Sequence, residues 1–504
     1  MLPEFKDLVF YEIYPNSFKD SNGDGYGDLQ GIISKIDYVK SIGFNAIWLN
    51  PIYDSPFKDG GYDVRDPFAI SPRYGSLDDL KELISVMHKK NMRLFLDLIP
   101  GHMSCENKDF LKSALPYENE CSDLFIWNDN VWDNCNGKYR LISGVYDRFG
   151  CFMVNFFEHQ PAINYGFNII DYPTWQKDIY SSSAKKGRDY LKKIMKFYLN
   201  LGIDGFRVDM ADSLVKNDDD KTMTIKTWNI ILDELKEEGY KDFFMTSEWS
   251  NPSQALKAGF TSDFILDHDN NCSHYLFRQN KNGEKPLLVA FNEELYKKFI
   301  ADLSLRIQAA NDNKKYLSFI SGNHDTRRIA SFLTGNSLKL AYLFLLTIPG
   351  VPYIYYGDEL GAHTLDAQVS VEGGYQRTGS RLPMKFDHNK NYGFSSSDSI
   401  FLTQIKEDLC AEDAIENKDS ILNLVKDLIS IREKNSDFTS NKFEFIAYKF
   451  GYKRGKFTIL INLFDSAQSY KIDSNAEVVY QIGDYVINGS SISLSSHSGV
   501  IIKE

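Results

Sequence analysis

The chain has 504 residues, 43% of them apolar and only 15 prolines, which describes an ordered chain with core enough for one large barrel or about three average domains. A formal charge of −12 speaks against a nucleic-acid backbone or an anionic membrane surface as partner. The start MLPEFKDLVFYEIY shows no secretory signal and the six cysteines match no zinc spacing, so free thiols and a cytoplasmic location are expected.

In chain order, LVFYEIYPNSF (residues 8–18) is aromatic and β-branched and reads as a strand. DSNGDGYGDLQG (20–31) follows. Asp20, Asn22 and Asp24 fill positions one, three and five of an EF-hand calcium loop and Asp28 fills position nine, but Gly31 stands where the bidentate Glu belongs. The flanks differ too, because the loop joins a strand to a helix with apolar residues at Ile32, Ile33, Ile36, Val39 and Ile42. Three carboxylates so close repel one another, which favours a bound cation over a turn that leaves its charges in water.

The strand-helix alternation continues. FNAIWLNP (44–51) and RLFLDLIP (93–100) read as buried strands around a helix at 76–91 capped by Ser76. An irregular interval rich in Asn, Asp and aromatics runs to about residue 175. Strands GFRVDM (205–210), FFMTSEW (243–249), SDFILDHD (262–269), YLSFISGNHD (316–325) and PYIYYGDE (352–359) follow with helices between them, and a helix over 421–434 closes the series. The apolar run 338–357 is broken by IPGVP and reads as a buried helix and a strand, not a membrane span. Eight such strands predict a (β/α)8 TIM barrel over 1–100 and 175–438, with an inserted domain over 101–174 after the third strand. From 439 to 504 short strands without helices predict an antiparallel β-sandwich.

Chemistry in such barrels sits at the C-terminal strand ends. There the sequence places Asp97 and His102, Arg207 and Asp209, Glu248, and His324 with Asp325. Converging carboxyls suit glycoside hydrolysis, which needs one carboxylate at the oxocarbenium-like centre and one protonated carboxyl for the leaving oxygen. Arg207, two residues before Asp209, shares its strand face and is expected to keep Asp209 ionised, while Glu248 beside Trp249 stays protonated.

The ordered motifs DLIPGH, GFRVD, SEW and FISGNHD resemble those of the α-amylase superfamily of glycoside hydrolases (family 13), over nearly the whole chain and closest to oligo-1,6-glucosidase- and α-glucosidase-like members. The resemblance implies Asp209 as nucleophile, Glu248 as general acid/base and Asp325 as the third acid. It also implies that His102, Arg207 and His324 line the same sugar subsite and that Tyr62 stacks on the ring. The insertion becomes the family's domain B and the tail its domain C. Asp20, Asn22, Asp24, the Tyr26 carbonyl and Asp28 become ligands of one structural Ca2+. The implied partner is an α-linked gluco-oligosaccharide, with a monomer expected.

Some positions depart from the family. Gly101 stands where many members have an Asn that binds a second calcium, and that site is in doubt here. MADS (210–213) lacks the Lys and His that starch-cleaving members carry after the nucleophile, and QPAIN (160–164) resembles the QPDLN of oligo-1,6-glucosidases and trehalose synthases. Asp59, three residues before Tyr62, resembles the Asp that pairs with an Arg to close α-glucosidase pockets. Arg381 is the expected partner, with Arg377 the second choice. A retaining α-glucosidase acting from the non-reducing end is the leading reading. An endo-acting α-amylase, a transglycosylase or isomerase of the trehalose synthase type, and an inactive sugar-binding relative are the alternatives. The intact acids oppose the last.

Overall fold

The structure, a computed structural model, describes residues 1–280, 282–366, 368–446 and 450–504. Eight parallel strands, β1 (Phe10–Ile13), β2 (Ala46–Leu49), β3 (Arg93–Leu98), β4 (Gly205–Val208), β5 (Phe244–Ser247), β6 (Ser262–Ile265), β7 (Tyr316–Phe319) and β8 (Tyr353–Tyr355), form one sheet. The ladder runs from β7 down to β1 and on to β8, and the Ile320–Tyr353 bridge joins the two ends into a barrel. These strands are nearly continuous apolar runs because both faces are covered, one by helices and one by the barrel interior.

Side-chain alternation sorts each strand. Phe10, Trp48, Phe95, Phe244, Phe264 and Tyr353 fill the lower interior as a buried cluster, with Phe10 and Tyr353 stacked at 4.0 Å. Two residues further along, the same face carries Glu12, Asp97, Arg207 and Thr246, and register pairs Asp97 with Arg207 and Arg207 with Thr246. An apolar plug therefore supports a polar floor. Helices such as Leu77–Lys89 pack outside, the latter started by the Ser76–Asp79 capping box read from the sequence.

The first predicted strand is shorter than expected. It ends at Ile13, and Pro15 opens a short helix, Pro15–Phe18, because a fixed φ and a missing N–H suit a first helical turn. Between β3 and the helix Ser182–Leu201, a small antiparallel sheet (Trp127–Asn128, Cys151–Met153, Leu141–Ser143) packs with Phe110 and Phe125. After the helix Ile421–Lys434 come a five-stranded and a three-stranded sheet, both antiparallel, around Leu460, Tyr470, Ile492 and Ile502. Of the short strands expected over 439–504, the first described is Glu444–Phe445, and residues 447–449 lie outside the described residues. Among the described residues no helix is long and apolar enough to cross a membrane.

Candidate active site

A cavity of about 280 Å3 opens at the C-terminal end of the barrel, lined by Asp59, Tyr62, His102, Asp209, Glu248, Asp325 and Arg377 among others. Its floor is organised by Arg207, whose side chain is wholly buried. Nη1 contacts Asp97 at 2.7 Å and Asp209 at 3.0 Å, and Nη2 contacts Glu248 at 2.7 Å. The Met210 amide donates to the other Glu248 oxygen (2.9 Å). Asp97 also accepts from the Tyr62 hydroxyl (2.8 Å) and the Trp48 indole (3.2 Å).

The expectation that Arg207 keeps Asp209 ionised needs correction. Burial, and next the adjacent Glu248, push the Asp209 carboxyl well above the usual carboxylate range against the pull of Arg207. One guanidinium divided among three carboxylates cannot neutralise each of them.

Asp325 has the opposite surroundings. Burial alone would raise it, but His324, Arg377 and Arg381 outweigh burial and hold its carboxyl well below the usual range. The contacts are 3.0 Å from Arg377, 2.9 Å from Arg381 and 3.3 Å from His324 Nε2. Glu12, buried on β1, takes the other ring nitrogen of His324 at 2.8 Å. Burial lowers His324, but Asp325 and Glu12 more than offset it, and its pKa rises to about 9. His102 is the reverse case, lowered by burial to about 3 and so neutral, with Nε2 3.2 Å from the Tyr62 carbonyl oxygen.

The ion pair across the cavity differs from the first choice made on sequence. Asp59 pairs with Arg377 at 2.9 Å, while Arg381 lies deeper, its Nε donating to the His324 carbonyl (2.9 Å). Next to Asp59, Gly60 at φ +57° lies against Arg381, and a Cβ there would stand 2.5 Å from Arg381 Nη1. Arg377, one turn earlier in Tyr375–Ser380, faces the cavity instead. The Gln160 amide of QPAIN completes the arrangement, donating to the second Asp59 oxygen at 2.8 Å.

Tyr62 stands in the cavity wall beside Arg207, its ring stacked on His324 (5.2 Å, 11° between planes). Sequence reading missed Phe156 and Asp212 on the cavity wall, which follow no strand period, and Leu266 and His268, which continue the inward alternation of Phe264 beyond the end of β6. Beside the cavity, the Lys216 ammonium joins the insertion to the barrel, donating to Asn155 Oδ1 (2.7 Å) and the Ser213 carbonyl (2.6 Å). The Gly101 backbone lies against that same Asn155, where a Cβ would come within 2.6 Å of its amide nitrogen.

The Asp20 loop is remote from this chemistry. Asp20 accepts from the amides of Asn22, Gly23 and Gly25, Asn22 from Asp24, Asp24 from Tyr26, and Asp28 from Ser21 and Gly31. Asp20 and Asp28 are nonetheless buried, and among the described residues no Lys, Arg or His forms an ion pair with Asp20, Asp24 or Asp28. That donor set, oxygen only and without a protein counter-charge, fits a hard cation.

The comparisons with known proteins agree with this geometry. The family described as Alpha amylase, catalytic domain, matches residues 12–441. A glucan 1,6-alpha-glucosidase of Streptococcus pneumoniae is 30% identical, with 94% of each chain covered. An alpha-amylase 3 of Dictyoglomus thermophilum is 29% identical over 99% of this chain and 94% of its own, and an oligo-1,6-glucosidase of Bacillus cereus is 27% identical over 99% of both. Among solved structures, an isomaltulose synthase mutant of Erwinia rhapontici in complex with D-glucose superposes with a TM-score of 0.82 at 24% identity, covering 100% of this chain and 99% of its own. Barrel, strand-end acids and family match together show that the chain belongs to the α-amylase family of glycoside hydrolases.

Proposed function

We propose that the protein is a retaining α-glucosidase that removes glucose from the non-reducing ends of short α-glucans. Asp209 attacks the anomeric carbon and forms a glycosyl-enzyme, while Glu248 protonates the leaving oxygen and then deprotonates the incoming water. Both carboxyls hang on adjacent nitrogens of Arg207, which keeps them close, as double displacement requires (about 5–5.5 Å). Positive charge developing at the sugar favours ionised Asp209, so the proton belongs on Glu248 as the bond breaks. Asp325, kept ionised by three cationic side chains, is suited to accept hydrogen bonds from sugar hydroxyls.

The observation that carries the exo reading is the Asp59–Arg377 ion pair, joined to Asp325 through the same guanidinium. It closes one end of the cavity with groups that can bond only the hydroxyls of a chain end. A continuing chain would meet the pair sterically and leave buried charge unsatisfied. The relatives named glucan 1,6-alpha-glucosidase and oligo-1,6-glucosidase support the same reading. The relative named alpha-amylase 3 makes starch the necessary control. Products from maltotriose, isomaltose, trehalose, sucrose and starch test it. In the early phase each cut should release one glucose and leave the remainder, maltose from maltotriose or fructose from sucrose, and mixed-length fragments from starch would establish the endo alternative.

For the Asp20 loop, Asp20, Asn22, Asp24, Asp28 and the Tyr26 carbonyl are the proposed holders of one structural Ca2+. Three carboxylates that no Lys, Arg or His pairs with among the described residues support this.

A further inference from the structure

Glu248 lies one residue beyond the end of β5, where ladder bonding gives way to a turn. A general acid must keep its proton aligned with the leaving oxygen, so something has to fix that turn. The residues on either side of Glu248 are both tied to one carboxylate oxygen on the neighbouring strand. Ser247 Oγ donates to Asp263 Oδ1 at 2.7 Å, and the Ser250 amide donates to the same atom at 3.2 Å. Asp263 sits on β6 with no exposure to solvent.

Ser250 is held at its other polar atoms too. Its hydroxyl accepts from the Leu266 amide (3.2 Å), and its carbonyl accepts from Arg306 Nη1 (3.0 Å), whose Nε is held by Asp302 (2.7 Å). The backbone at Ser250 is left-handed, φ +60°, a conformation that a non-glycine residue keeps only where its surroundings impose it. Trp249, between the two anchored serines, and Leu266 both line the cavity.

We propose that Asp263 is a positioning residue for the general acid: by bracketing Glu248 through Ser247 and Ser250, it fixes the direction in which Glu248 delivers its proton. The inference rests on the glucosidase reading and deepens it. It predicts damage confined to proton delivery, not spread over sugar binding or nucleophilic attack.

The leaving group separates these. A glucose leaving group needs protonation as the bond breaks, whereas p-nitrophenolate needs little, and kcat/KM for each substrate covers binding through bond breaking and leaves out deglycosylation. Asp263→Ala should lower kcat/KM on maltose or isomaltose, whichever the wild type cleaves faster, by on the order of tenfold to a hundredfold. On p-nitrophenyl α-glucoside the change should stay within about threefold. Asp263→Asn keeps an acceptor oxygen at the same place and should restore much of the disaccharide activity. If Asp263→Ala gives no cooperative unfolding transition, Arg306→Met, which cuts the Ser250 carbonyl anchor from the outside of the barrel, is read by the same ratio. An active wild type with both substrates slowed equally, or neither slowed, would overturn the inference alone. A wild type inactive on every glucoside would overturn the glucosidase reading and the inference with it.

Discussion

Two regions of this molecule are crowded with carboxylates, and they solve the crowding in opposite ways. In the Asp20–Asp28 loop the acids turn mainly onto backbone amides within the same few residues, with Ser395 Oγ also donating to Asp20, and among the described residues no Lys, Arg or His pairs with them. At the strand ends, Arg207, Arg377, Arg381 and His324 converge on the acids, several of them across long stretches of chain, as in Arg207–Asp97, Arg207–Glu248, Arg377–Asp59 and Arg381–Asp325. The lesson is that carboxylate density alone does not indicate chemistry. Groups held by local amides have charge but a fixed environment. Groups that share or compete for cations can be given different proton affinities, as Asp209, on one guanidinium shared with two other acids, and Asp325, with three cations of its own, are.

That contrast predicts unequal sensitivity. Asp209→Asn should lower turnover by at least about 10⁴-fold while sugar binding stays measurable by calorimetry, since the nucleophile is lost and the cavity keeps its shape. Wild-type turnover in a contaminant-free preparation would move the nucleophile elsewhere. Next comes the closing pair. Asp59→Ala or Arg377→Met should weaken kcat/KM on disaccharides by about 2–4 kcal/mol, the loss expected for a charged hydrogen-bond partner, with a smaller loss on long chains. Equal losses on all chain lengths would show that the pair does not sense the chain end.

The cationic side of the comparison is also testable by pH. His324 has a folded-state pKa raised to about 9. Its contribution to stability is therefore complete below its unfolded value, roughly 6.5, and is lost as pH rises through about 9. Thermal stability should fall across that window, and His324→Asn should flatten the slope. An unchanged slope in the variant would assign the titration to another group. The smallest effect on activity belongs to the Asp20 loop. Chelation should lower Tm by a few degrees yet change kcat/KM at moderate temperature by less than about twofold. No calcium uptake by calorimetry and no shift in Tm would leave the loop as a set of Asx turns.

Much of this was legible in the sequence, and the physical reason is periodicity. Strand alternation places Asp97, Arg207, Asp209 and Glu248 on the inner face, so once the strands were recognised the floor of the site followed. Loop residues have no such rule. Arg377 and Arg381 are four positions apart, in a short helical stretch and at its cap, and no sequence period says which of them reaches Asp59. Lys216 and Asn155 meet between the insertion and the barrel, across a sequence interval that carries no shared pattern. The proton affinity of Asp209 was misjudged for a related cause. The Asp209–Arg207 neighbourhood is local, but Asp97 and Glu248, which compete for the same guanidinium, come from other strands.

The account's central claim, double displacement at a chain-end pocket, is tested most directly by proton NMR of the products of a malto- or isomalto-oligosaccharide. Observed before mutarotation, the glucose released from the non-reducing end should be the α-anomer, and the chain one glucose shorter should be the coproduct that appears with it. Release of β-glucose would show single displacement and contradict the roles given to Asp209 and Glu248.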